Sequence, residues 1–97
     1  MSDLAIDLSR AQVLRGDQAL SLTPTEFRLL VHLARHRGQA LSRGQIIDAV
    51  WGHTPDADSE RTVNVHIRRL REKIELDPSR PVILLTVPGI GYRLADK

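Results

Sequence analysis

Residues 60–75, ERTVNVHIRRLREKIE, hold four arginines and a lysine among aliphatic residues at helical spacing. At about 100° per residue, Val63, Ile67, Leu70 and Ile74 fall in one narrow arc. That arc predicts a buried face. The opposite side then carries Arg61, Val65, Arg68, Arg69 and Glu72, with Thr62, Asn64, His66, Arg71 and Lys73 on the flanks. The chemistry this array suits is recognition of phosphates and guanine edges, which match the planar arginine fork. Thr62 and Asn64 add short polar groups near the helix start, the end that enters a groove first. Val65 among arginines does nothing for solubility, but it suits an apolar contact with a thymine methyl. The competing interpretation is a solvated helix laced with Arg68–Glu72 and Arg71–Glu75 pairs.

Two further groups bear on the same chemistry. The helix start, DSERT, can point backbone N–H groups at a phosphate. Near the C-terminus, Thr86, Tyr92 and Arg93 lie in a segment able to touch a backbone or an adjacent groove. Asn64 is a weaker base-reading candidate. It can pair with adenine if its side chain reaches a base, or it can simply help order the helix.

Catalytic and metal chemistry find less support. His32 and His36 stand one helical turn apart, but no acid lies between them and no third ligand is evident, so they read as exposed non-ligands. No Ser/His/Asp order, glycine-rich phosphate loop or paired-carboxylate spacing stands out. The expectation is a non-enzyme without metal or cofactor. His66 reads as a groove contact or spacer whose proton would make affinity mildly pH-dependent.

The elements that must position the arginine array can be read in order. The first 22 residues alternate loosely around a Gly16-Asp17 turn, which predicts a small antiparallel sheet. Thr23, Pro24 and Glu26 form a capping box opening a helix to about Arg37, with Gly38 as its stop. Its apolar stripe is Phe27, Leu30, Val31 and Ala34, widened by Leu29 and Leu33, as for a helix packed on more than one side. Ser42 with Gln45 repeats the box before a short helix that presents Ile46, Ile47, Val50 and Trp51. GHTPDADS reads as a loop, 59–75 as the third helix, and VILLTV and YRLAD as a hairpin around PGIG. Asp77-Pro78 discourages helix beyond 75.

Composition bounds the remainder. The chain has 97 residues, 41% apolar and 27% charged, and fits one globular domain spanning 1–97. Phe27, Trp51 and Tyr92 are the only aromatic residues, so the core is aliphatic. There is no cysteine, which suits a reducing cytosol, and no stretch approaches a membrane span. The net charge of +2 is small, but acid predominates over residues 1–26 and base over 61–73.

Taken together, LSLTPTEFRLLVHLARHRGQALSRGQIIDAVWG, ERTVNVHIRRLREKIE and LLTVPGIGYRL resemble the C-terminal DNA-binding domain of OmpR/PhoB-type response regulators, from about Leu20 to Leu94. The resemblance implies an α+β winged helix-turn-helix: a four-stranded N-terminal sheet, three helices and a C-terminal β-hairpin wing. It also implies a separate receiver domain that is phosphorylated and dimerises, placing two such domains on direct-repeat half-sites. By position, Arg61, Thr62, Val65, His66, Arg68, Arg69 and Arg71 match residues of the recognition helix that face DNA. Trp51, Thr86 and Tyr92 match backbone contacts. The 52–60 loop matches a segment that meets RNA polymerase.

Two departures from the family pattern stand out. Pro88 replaces a frequent wing arginine, which predicts a weaker wing and leaves Arg93 as the wing's cation. Asn64 replaces a frequent aspartate. No receiver domain fits in this length, and the start almost directly on the first strand favours a domain cut from a larger, cytoplasmic protein.

The leading expectation is therefore sequence-specific binding of duplex DNA, by a domain that pairs on DNA. Arg61, Arg68 and Arg69 would divide between guanine edges and phosphates, with Arg71 and Lys73 positioning. The alternative is a protein-docking winged helix that uses the acidic loop and N-terminal sheet. RNA fits less well, because its major groove is deep and narrow and the chain lacks aromatics for stacking single strands.

Overall fold

The computed structural model describes residues 4–52 and 57–95, with side chains for 4–52 and 61–95. Strands β1 (Leu4–Asp7), β2 (Gln12–Arg15) and β3 (Gln18–Leu20) form an antiparallel sheet in that order. Ile6 opposite Val13, and Val13 opposite Leu20, set a register that turns one aliphatic row to the core. Gly16 takes φ 59° at the β2–β3 turn, which a two-residue hairpin needs.

The resemblance implied four strands here. Three occupy the described segment, because only Ser21 and Leu22 separate β3 from the Thr23 cap. The additional strand of the fold lies elsewhere: β4 (Leu41–Ser42) pairs with the C-terminal hairpin, giving a second sheet of order β4-β6-β5 with β5 (Leu84–Val87) and β6 (Gly91–Leu94).

Helix α1 (Pro24–Arg35) opens with the expected reciprocal capping box between Thr23 and Glu26. It ends two residues before the expected Arg37. His36 and Arg37 form tighter bonds to the carbonyls of Leu33 and Ala34, and Gly38, at φ 83°, then donates its N–H to the Leu94 carbonyl. Helix α2 (Arg43–Trp51) has the Ser42–Gln45 box and closes on Gly52 in the left-handed conformation. Helix α3 (Ala57–Ile74) begins two residues earlier than the sequence predicts. The remainder of the expected loop, residues 53–56, lies outside the described residues.

The core contains Leu29, Leu30 and Leu33 of α1, Ile46, Ile47 and Val50 of α2, and the inner face of α3, closed by Val13, Leu84, Tyr92 and Leu94. On α1, Leu29 and Leu33 are fully buried, while Phe27 and Ala34 only pack against the core edge. The residues expected merely to widen the stripe thus form its centre.

Two sets of polar contacts fix the C-terminal end of α3. Arg15 Nη1 reaches the carbonyls of Lys73, Ile74 and Glu75, complementing the negative end of the helix. The buried Glu75 carboxylate accepts the backbone N–H groups of Val82, Ile83 and Leu84 at 2.8–3.2 Å. Where α3 ends, β5 therefore begins beside it. Gly91 is needed where β6 meets β4, since a methyl group there would collide with the Leu41 carbonyl.

Candidate nucleic-acid interface

Val63, Leu70 and Ile74 are 0% exposed and Ile67 is 1%. This face anchors α3, so its opposite face is held at a fixed orientation. Arg61, Thr62, Asn64, Val65, Arg68, Arg69 and Glu72 are all exposed there. Val65 is 40% exposed, an apolar side chain standing among cations.

The ion pairs that would make this a self-neutralised surface are not formed among the described residues. Among the described residues, salt bridges join Arg10 to Asp7 and Lys73 to Glu26. The expected Arg71–Glu75 pair is replaced from both sides. Glu75 turns inward to the β5 amides, and Arg71 turns to the wing, with Nε donating to the Leu84 carbonyl at 3.0 Å and Nη2 to Thr86 Oγ1 at 2.8 Å. Lys73, expected to position DNA, instead holds the buried Glu26 carboxylate of α1. Burial raises the Glu26 carboxyl, but the Lys73 hydrogen bond, the Thr23 N–H and the Lys73 charge outweigh it and hold it below its ordinary range.

His66 is half-buried, and its ring meets Trp51 edge-on at 5.1 Å. Its Nδ1 lies 2.8 Å from the Thr62 carbonyl. A carbonyl only accepts, so Nδ1 carries the proton and Nε2 is the nitrogen left for a ligand. The contact also ties Trp51, at the end of α2, to the flank of α3.

Tyr92 is 5% exposed, so its ring belongs to the core and its hydroxyl donates to Asn64 Oδ1 at 2.7 Å. Arg43 Nε donates to the same oxygen at 3.0 Å. The guanidinium groups of Arg43 and Arg71 lie 5.2 and 5.6 Å from the Tyr92 ring centroid, at cation–π range. Arg43 was not singled out in the sequence. No local pattern marks it, because its partners lie 21 and 49 positions away.

At the wing tip, Ile90 N–H donates to the Val87 carbonyl across Pro88 and Gly89, the latter at φ 78°. Proline second and left-handed glycine third suit a type II turn, so Pro88 fits the backbone while supplying no charge. Arg93 is half-buried on β6, opposite Leu85.

The rings of His32 on α1 and His36 just past its end meet at a tilt of 55° with centroids 4.7 Å apart, and His36 Nδ1 lies 3.0 Å from the His32 carbonyl. No cluster of three metal-ligating side chains occurs among the described residues. None of the helices there is long and apolar enough to cross a membrane.

A helix-turn-helix whose second helix is anchored inward and cationic outward, flanked by a hairpin tied to it, defines the winged helix-turn-helix class. The chain belongs to the family described as "Transcriptional regulatory protein, C terminal", whose profile matches residues 17–94. It is 46% identical over 93 residues to the DNA-binding response regulator MtrA of Mycobacterium tuberculosis, covering 96% of this chain and 40% of that protein. It is 50% identical over 91 residues to the transcriptional regulatory protein AfsQ1 of Streptomyces coelicolor, covering 94% of this chain and 40% of that one. The chain thus spans about two-fifths of the length of these relatives.

Among solved structures, it superposes on the Klebsiella pneumoniae RstA DNA-binding domain in complex with the RstA box. There the TM-score is 0.90 and the identity 34%, over 98% of this chain and 93% of that one. The AdeR DNA-binding domain in complex with an intercistronic region gives a TM-score of 0.81 at 29% identity, over 100% of this chain and 98% of that chain.

Proposed function

We propose that this chain binds duplex DNA in a sequence-specific manner to regulate transcription, as the output domain of a two-component response regulator. The observation that carries this reading is the face of α3. Its inner side chains are at most 1% exposed, and its outer arginines 61, 68 and 69 have no carboxylate partner among the described residues. The RstA and AdeR domains, solved with DNA, share this fold, which supports the assignment.

In this reading Arg61, Arg68 and Arg69 divide between guanine edges and phosphates, and Val65 offers its methyl groups to thymine. Thr62 and His66 contact the groove wall, and Trp51, Thr86 and Arg93 meet the backbone on either side. Arg71 and Tyr92 contribute mainly by holding the wing, because Arg71 Nε and Nη2 and the Tyr92 hydroxyl are already engaged within the domain. Two copies pair on direct-repeat half-sites, a receiver domain lies elsewhere in the same cytoplasmic protein, and the 52–60 segment leading into α3 is the surface for RNA polymerase.

Selection of bound duplexes from a random library tests the proposal. The expected result is an enriched motif repeated in tandem at about one helical turn. Affinity for the winner should fall with salt by roughly 0.9 log units per decade for each phosphate neutralised. Salt-sensitive binding with no enriched motif would contradict sequence-specific reading and leave only a basic surface.

A further inference from the structure

Asn64 lies on the flank of α3, close to where a groove-reading residue is expected, yet its side-chain carbonyl faces inward to two donors. One is Tyr92 Oη on β6, at 2.7 Å, and the other is Arg43 Nε at the first position of α2, at 3.0 Å. These donors come from both elements that flank the reading helix. Because arginine nitrogens only donate, the amide orientation is fixed: Oδ1 faces the pair. The oxygen that would be needed for bidentate pairing with adenine is thereby occupied. Around the same point both the Arg43 and the Arg71 guanidinium groups lie over the Tyr92 ring, and Arg71 continues to Leu84 and Thr86 of β5.

We infer that Asn64 is a positioning residue whose side-chain carbonyl gathers Arg43 of α2 and Tyr92 of β6 and so sets the pose of the wing relative to the reading face of α3. The inference rests on the reading of α3 as the DNA-facing helix. The chemistry favours a neutral acceptor. Asn64 orients Arg43 without neutralising it, whereas a carboxylate would compete with phosphate for that guanidinium. Pro88 gives the wing tip no cation, so keeping Arg43 and Arg71 cationic beside it maintains positive potential along this edge.

The test compares the wild-type domain with Asn64→Ala, Tyr92→Phe and Asn64→Asp. Two properties are measured: the affinities for a selected duplex and for a scrambled one, and amide hydrogen exchange across residues 84–94. Asn64→Ala and Tyr92→Phe are expected to lower the affinity for the selected and the scrambled duplex alike by about fivefold, the worth of one lost hydrogen bond. Exchange in the hairpin should be faster, and preference should be unchanged at every base pair. Asn64→Asp keeps the acceptor, so hairpin exchange should stay as slow as in the wild type, while affinity falls evenly across all sequences.

The inference is overturned if Asn64→Ala alters preference at a single base pair, which would make Asn64 a base reader. It is also overturned if hairpin exchange is unchanged in both Asn64→Ala and Tyr92→Phe. Should Asn64→Ala fail to fold, Tyr92→Phe carries the same comparison, because it removes one donor from the node and retains the other. Should the wild type bind no duplex, the DNA reading fails, while the exchange measurement still decides whether Asn64 holds the wing.

Discussion

The Arg71 guanidinium donates to Thr86 Oγ1 at 2.8 Å, across the seam between α3 and the hairpin. With its second bond, to the Leu84 carbonyl, this arginine acts as a brace between α3 and β5. Under the proposed function its charge still contributes to the DNA-binding edge, but its geometry is set by the wing.

Replacing Arg71 should therefore cost stability as well as binding. Arg71→Ala leaves the Leu84 carbonyl without this donor and removes a charged hydrogen bond, a loss of about 1.5–3 kcal/mol. Arg71→Lys should recover little of it, because a single ammonium cannot reproduce the two-pronged fork. Urea titration of the three proteins checks this, and wild-type stability in Arg71→Lys would refute the brace.

Glu75 is expected to matter more than any exposed carboxylate. Its buried carboxyl accepts three consecutive backbone amides, and Glu75→Ala strands them together at a cost of roughly 2–4 kcal/mol. Glu75→Gln retains one acceptor oxygen and should fall between the two. The check is thermal unfolding, and a cost no larger than that of Glu72→Ala would count against the role.

Acid should destabilise the domain in two stages. Burial, with the His36 and Arg35 charges, holds His32 below its ordinary value of 6.5. As pH falls below 6.5 the unfolded chain takes up that proton before the folded one, so stability declines. Glu26 is held below its ordinary 4.5, so its contribution is full above pH 4.5 and is lost as pH falls through its lower folded value. Melting temperature should drop from pH 7 to 5.5 and again below 4.5, and His32→Gln should remove the first drop alone. A melting temperature flat from pH 7 to 5.5 would contradict the His32 assignment.

What the sequence made legible was whatever local spacing encodes. The stripe Val63, Ile67, Leu70 and Ile74 is buried as its periodicity predicts, and both capping boxes form. The polar network around α3 was not legible, because it joins Asn64 to Arg43 and Tyr92, 21 and 28 positions away. The same reason conceals Lys73–Glu26, 47 positions apart, and made Arg71–Glu75 look like a surface pair. The two-residue strand β4 is too short to leave an alternation pattern, and it is defined only by its pairing with Tyr92 and Gly91. The roles expected of the 52–60 loop concern residues that lie largely outside those described.

The central claim is that the outward arginines of α3 read base sequence. It is tested most directly by measuring the affinity of the wild type, Arg68→Ala and Arg69→Ala for a selected duplex and for its full set of single-base-pair substitutions. The expected result is that at least one substitution costs about 1–3 kcal/mol on the selected site and flattens discrimination at one base pair, leaving the others intact. Wild-type affinity and an unchanged discrimination profile in both variants would mean that α3 is not the reader.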